Sequence, residues 1–371
     1  METQGAYPAA VGIAVASLTV ILLVTPPMWW HIRSRNIGAA SVIIWIIINN
    51  SMTFLNAILW PNDNFDGYLG QGLCDVEIKL QIASQVAFSA SFACVLRALA
   101  TVMDTKRMVV VQSKAQRRRN IAIDLSWCFG IPMLQMLFQY IVQGKRYYLF
   151  GISGCVPGVT NNWLTVVLIM VMPVVWVLVC ATYATIILIR LYRYRRSFRT
   201  LLQNHDTSKS RFLRLFLLCI IWILGNVPVQ CWVFSLSFSV PREPFDWNEI
   251  HDPEELSQII AVPSLGMVLY DRYIWLASGI LMFLFFGFGT EALQMYRAGW
   301  NAVGIAKLVP ARFKGGNRSY TSENRELVMK RAVLKSVGDD SLFSMSTDVA
   351  STKDSDMKLA ELDQGSTQNS V

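Results

Sequence analysis

Residues 73–103 read LCDVEIKLQIASQVAFSASFACVLRALATVM, and the fold class follows from this stretch. Cys74 and three charges (Asp75, Glu77, Lys79) open it, the run from Leu80 to Leu96 carries no charge, and Arg97 closes it. About 20 mostly apolar residues in a helix cross ~30 Å of hydrocarbon, and this run with its apolar neighbours reaches that length. Its interior holds Ala83, Ser84, Gln85, Ser89, Ala90 and Ser91, small and polar enough to suit contact with helices better than contact with lipid. The stretch therefore reads as the central post of a membrane bundle.

The rest of the chain agrees. Of its 371 residues 53% are hydrophobic and only 16% charged, which places it among membrane proteins. The net charge of +8 sits in a few loops, so it speaks of loop orientation and excludes nucleic acid as a partner. Long apolar runs cover roughly Ala9–Trp30, Ala39–Trp60, Asp75–Val102, Asn120–Gln143, Asn162–Arg190, Phe212–Val240 and Leu269–Tyr296. An all-α seven-transmembrane bundle is expected over residues 9–296, with a short outer segment at 1–8 and a largely disordered inner tail at 297–371. The first run reads as a retained anchor, since no basic segment precedes it.

Loop charge alternates along the chain. Arg33 and Arg35 follow the first run, Lys106, Arg107, Lys114 and Arg117–Arg119 the third, and a strongly basic segment from Arg190 to Arg214 the fifth. The loops after the second and sixth runs are acidic. Lys and Arg collect on the cytoplasmic side, so the N-terminus is expected outside and the C-terminus inside.

Several constellations stand out. Cys74 and Cys155 are the cysteines placed in outer segments, where a bridge would pin a loop over the bundle mouth; the other reading is two free thiols. Pro26 and Pro27, Pro132, Pro173 and Pro228 interrupt apolar runs, and each frees a carbonyl that must find another partner within lipid. Around Pro228, Gly225 and the Asn226 amide mark either a switch in the sixth helix or a static kink. Arg190, Arg193 and Arg196 recur at helical spacing, as though the fifth helix continues into the cytosol. Asn49, Asn50, Asn56, Asp124, Gln135 and Gln139 read as interhelical fasteners, and Arg97 with Glu291 as a candidate latch. The histidines His31, His205 and His251 fall far apart, in what read as loops, and neither HExxH nor GxSxG occurs, which argues against an intramembrane enzyme and implies no cofactor.

Six stretches, spread over five elements, resemble one family. Trp60-Pro61-Asn62-Asp63 precedes a glycine-rich loop, Cys74-Asp75-Val76-Glu77-Ile78-Lys79 follows it, and Gln143-Gly144-Lys145-Arg146-Tyr147 precedes Gly154-Cys155-Val156-Pro157. Phe245-Asp246-Trp247-Asn248-Glu249-Ile250-His251 and Phe285-Phe286-Gly287-Phe288-Gly289-Thr290-Glu291-Ala292 complete the set. Together they resemble the fungal mating-pheromone receptors of the a-factor type, which are class D G-protein-coupled receptors, over about residues 8 to 300. His251 is followed here by Asp252-Pro253, where the family often carries a further aromatic.

The resemblance implies a plasma-membrane receptor for a farnesylated peptide pheromone, signalling through a heterotrimeric G protein, with membrane lipid around it and a homodimer left open. Trp60, Phe65, Tyr68, Tyr147, Tyr148, Phe245 and Trp247 are candidate ligand contacts or an ordinary interfacial aromatic belt. Asp63, Asp75, Glu77 and His251 are the polar candidates, since acidic outer loops attract a basic peptide. Asn226 and Pro228 are the candidate switch, and Arg97, Arg190, Arg193, Arg211 and Arg214 the candidate coupling surface. The competing function class is a seven-helix transporter of a small solute, which would require a midplane site between corresponding halves.

Overall fold

The computed structural model describes residues 5–103, 113–193, 206–238 and 241–287, with the backbone alone at 206–212 and 236–238. Its long helices are α1 (Pro8–Arg33), α2 (Ile37–Leu59), α3 (Leu73–Val102), α4 (Lys114–Ile141), α5 (Trp163–Arg193), α6 (Asp206–Phe238) and α7 (Tyr270–Phe286). The first six are long and apolar enough to cross a membrane. Helix α7 is described over 17 residues, and the rest of the expected seventh run lies outside the described residues, as do the tail and Glu291.

Side-chain caps fix several helix starts by taking backbone N–H groups that have no partner within the helix. Asn36 accepts from the Ala39 N–H at the head of α2, Ser113 from Gln116 at α4, and Asn162 from Thr165 at α5. The Ser113 cap starts α4 six residues before the expected apolar run, so Lys114 and Arg117–Arg119 are helical and not part of a loop.

The prolines behave in two ways. Helix α1 runs unbroken through Pro26 and Pro27, and α6 through Pro228, which corrects the expected interruptions there. In α4 and α5 a π-helical turn ends with one or two residues between it and the proline, Ser126–Gly130 before Pro132 and Val166–Met170 before Pro173. A π turn widens the helix and lets the ring sit without striking the turn before it, at the expense of unpaired carbonyls. Both turns find outside donors. The Trp45 indole N–H of α2 reaches the Cys128 carbonyl at 3.3 Å, and the Gln135 amide of α4 reaches the Leu168 carbonyl of α5 at 2.9 Å.

Helix α3 is the centre. Its most apolar window is 83% buried, against 56% for α2 and less for the other spans, and it touches α2, α4, α5 and α6. The small residues permit this: Ser91 meets Ser41 of α2 at 2.9 Å, and Ser84 meets Asn49 at 3.3 Å. Helix α7 packs on α1 and α2, where a Cβ on Gly279 would lie 2.2 Å from Val20 Cγ1. An aromatic cluster joins three helices, with Trp222 of α6 stacked on Phe92 of α3 at 4.6 Å and Trp275 of α7 edge-on to Phe88 at 5.1 Å. His31, expected in a loop, lies buried at the end of α1, edge-on to Phe286.

One end of the bundle is closed by a three-stranded sheet, where the sequence suggested only loops. Strand β1 (Tyr147–Phe150) pairs antiparallel with β2 (Gly154–Val156) and parallel with β3 (Ile259–Val262). Tyr148 faces Val156 on one side and Ile260 on the other.

Candidate functional site

The strand-capped end is built around Cys155. Its sulfur is bonded to Cys74 in the first turn of α3, with the two Cα atoms 5.4 Å apart and both residues fully buried. Its carbonyl accepts from the Gln81 amide of α3 at 2.8 Å and from Arg272 Nη2 of α7 at 3.0 Å. A single residue of β2 therefore ties α3 and α7 to the cap. Beside it Arg146 grips Asp75 with two bonds, at 2.9 and 2.6 Å, a paired geometry stronger than a single contact. Glu77 is buried and accepts from the Asn56 amide at 2.9 Å, while the same amide reaches the Ser153 carbonyl at 3.3 Å.

Asp63 holds the other side. Its carboxylate accepts from the Tyr7 hydroxyl (3.1 Å), the Ser264 N–H (2.7 Å) and hydroxyl (2.8 Å), and the Leu265 N–H (2.8 Å). Burial alone would raise its pKa. The hydrogen bonds from Ser264, Leu265 and Tyr7 outweigh it and hold the carboxyl below the usual carboxylate range.

The candidate ligand residues separate by exposure. Trp60, Glu77 and Tyr147 lie inside the cap: the Trp60 indole donates to the Tyr68 carbonyl at 2.9 Å and the Tyr147 hydroxyl to the Leu69 carbonyl at 3.2 Å. Phe65 and Tyr148 are half-buried, and Tyr68, Phe245 and Trp247 are exposed. His251 stacks on Trp247 with ring centres 3.7 Å apart and lies 3.2 Å from the Tyr140 carbonyl of α4. Arg272, Arg146, Tyr7 and Ser264 were not among the candidates. An arginine at the head of an apolar run was the one signal for Arg272 and the stretch Gln143–Tyr147 the signal for Arg146, whereas nothing local marks Tyr7 or Ser264.

At the opposite end Arg97 of α3 pairs with Asp124 of α4, Nη2 to Oδ1 at 2.5 Å, with its guanidinium 5.5 Å from the Trp127 ring. Glu291, the candidate latch partner of Arg97, lies outside the described residues. Arg190 of α5 donates to the Ala100 carbonyl, so two candidate coupling residues meet at the last turn of α3. Arg193 is exposed and Arg214 half-buried, while the Arg211 side chain lies outside the described residues. In α6 a Cβ on Gly225 would meet nothing within 4 Å, and Asn226 Oδ1 is shielded from solvent with no hydrogen-bond partner among the described residues.

Six membrane-length helices, one of them buried at the centre, sealed by a disulfide-tied sheet at one end and basic at the other, define a multi-pass helical membrane protein. A sequence model described as pheromone A receptor matches residues 12–304, and the chain belongs to this family of receptors. It is 30% identical over 293 residues to the pheromone a factor receptor of Saccharomyces cerevisiae, covering 78% of this chain and 61% of the relative. It is 29% identical over 300 residues to the pheromone B alpha 1 receptor of Schizophyllum commune (77% and 46%) and 28% over 297 to pheromone receptor 1 of Mycosarcoma maydis (76% and 81%). The matched region spans about half to three-fifths of the length of the first two of these relatives.

Proposed function

We propose that the chain is a plasma-membrane G-protein-coupled receptor for a farnesylated peptide pheromone, with α7 completing a seventh span. The alternating loop charge supports placing the strand-capped end outside and the arginine end in the cytosol. The observation that carries the reading is the family match over residues 12–304, which takes in the cap, the Gly225–Pro228 segment of α6 and the arginine end together.

The ligand rests on the cap. Tyr68, Phe245 and Trp247 offer exposed aromatic surface, with Phe65, Tyr148 and His251 beside them, and the buried Trp60, Tyr147 and Glu77 hold that surface in shape. A shift of the cap pulls on the Cys155 carbonyl and thus on Gln81 and Arg272. From α3 and α7 the displacement reaches α6 through Phe88, Phe92, Trp222 and Trp275, packed ring to ring. The Gly225–Pro228 segment lets one half of α6 swing, because the ring of Pro228 removes a backbone bond and a Cβ on Gly225 would meet nothing within 4 Å. Arg97 and Arg190 then leave Asp124 and Ala100, opening a basic surface to the heterotrimeric G protein.

Binding of matched prenylated and unprenylated peptides to the purified receptor tests the ligand class. The prenylated form is expected to bind at least about tenfold more tightly, since each buried CH2 contributes ~0.8 kcal/mol. Equal affinity for the two would exclude a prenyl slot.

A further inference from the structure

A cavity of about 490 Å3 at the arginine end takes no part in this mechanism. It lies between the α1–α2 turn, α2 and the first half of α4, and its lining includes Arg35, Arg117, Ile37, Ile44, Ile121 and Phe129. Its size falls within the ~300–1,000 Å3 typical of small-molecule sites. Arg35 lies in the turn just before α2 and Arg117 in the first turn of α4, and from each the lining apolar side chains Ile44, Ile121 and Phe129 follow one to three turns farther along. That arrangement matches an amphiphile with an anionic head.

Arg35 carries a second signal. Its φ is +57°, and the Asn36 N–H bonds the His31 carbonyl while the Arg35 N–H bonds that of Ile32, both at 3.0 Å. This is the Schellman closure of α1, whose left-handed position glycine fills without strain. Arginine at this position takes a backbone conformation that side chains rarely adopt, and strained positions cluster at ligand clamps. Neither Arg35 nor Arg117 has an ion-pair partner among the described residues, whereas Arg33 nearby already lies 5.7 Å over the Trp29 ring. The amino end of α2 adds positive partial charge to the same edge.

We propose that this pocket binds an anionic phospholipid of the adjoining leaflet, its phosphate held between Arg35 and Arg117 and an acyl chain laid along Ile44, Ile121 and Phe129. The inference rests on the helices spanning a bilayer and is independent of pheromone and G protein.

Native mass spectrometry of the purified full-length receptor tests it, by titration with phosphatidic acid, with phosphatidylcholine of the same chains, and with inorganic phosphate. Phosphatidic acid is expected to bind more tightly than phosphatidylcholine. Arg35→Gly and Arg117→Gln should each weaken it by about fivefold, the usual worth of one cation near an anionic lipid surface. The double variant Arg118→Gln/Arg119→Gln, altered at exposed arginines of α4 outside the pocket, should stay within about twofold because the pocket's own guanidiniums remain. Arg35→Gly is decisive, because glycine relieves the backbone and should leave Tm equal or higher, so that lost lipid affinity there is not misfolding. Equal affinity for the two lipids, an equal loss in the Arg118/Arg119 variant, or occupation by free phosphate without a lipid preference would overturn the site. Alkaline extraction of the same membranes separates the two failures: a chain that stays in the membrane yet shows no anionic preference refutes the lipid site alone.

Discussion

Cys74→Ser cuts the covalent link between α3 and the cap, and its effect can be bracketed. The bridge closes 81 residues of sequence, and the loop-entropy relation gives about 4.5 kcal/mol at 25 °C for a ring of that size. When α3 and α4 remain inserted as the cap opens, only the stretch from 142 to 155 is freed, and about 14 residues give about 3 kcal/mol. Arg146 on Asp75 and the two donors to the Cys155 carbonyl remain, so the cap loosens and does not detach. Hydrogen exchange at the β1 and β2 amides reads this opening directly. A loss of about 3 kcal/mol corresponds to exchange faster by roughly two orders of magnitude. Cys155→Ser should match Cys74→Ser, and the double variant should be no worse, since both remove one shared interaction. Clearly additive losses, or exchange within about threefold of wild type in the single variants, would refute the reasoning.

Asp124→Asn leaves Arg97 without its carboxylate at a site about four-fifths buried; the expected cost is about 1–2 kcal/mol to the closed arrangement and a fivefold to thirtyfold rise in ligand-independent nucleotide exchange. Unchanged basal exchange in a folded variant would remove the latch. Gln135→Leu leaves the Leu168 carbonyl of the π turn unpaired, and about 1 kcal/mol, a Tm lower by a few degrees in detergent, is expected; an unchanged Tm would show that the bond carries no stability. The Asp63 carboxyl is held below its ordinary pKa of ~4, so its contribution is fully present above that value and is lost as pH falls through the lower folded value. Tm should therefore fall more steeply below about pH 4 in wild type than in Asp63→Asn, and parallel curves would contradict this. Pro228→Ala should impair signalling more than pheromone binding; an equal loss of both would assign the proline to folding.

The central place of α3 was legible because small and polar residues in a membrane-length run have few other uses, and Ser84, Ser89 and Ser91 are all buried. Hydropathy could not see the start of α4, where four basic residues sit on a helix that Ser113 caps. The sheet was hidden for another reason: β1 and β3 are four residues each and pair in parallel across more than a hundred positions, so only tertiary structure sets their register. Aromatic residues near helix ends looked alike in sequence, yet Trp60 and Tyr147 are buried by the disulfide-tied cap while Tyr68 and Trp247 are exposed. Asp124 read only as a fastener, and its pairing with Arg97 depends on helix rotation, which composition does not encode.

Nucleotide exchange on a heterotrimeric G protein, co-reconstituted with the receptor in vesicles, is the most direct test of the receptor reading. A rise that requires a farnesylated peptide and is reduced by Pro228→Ala is expected. Exchange indifferent to peptide, with solute flux through vesicles holding this protein alone, would contradict it and assign the bundle to transport.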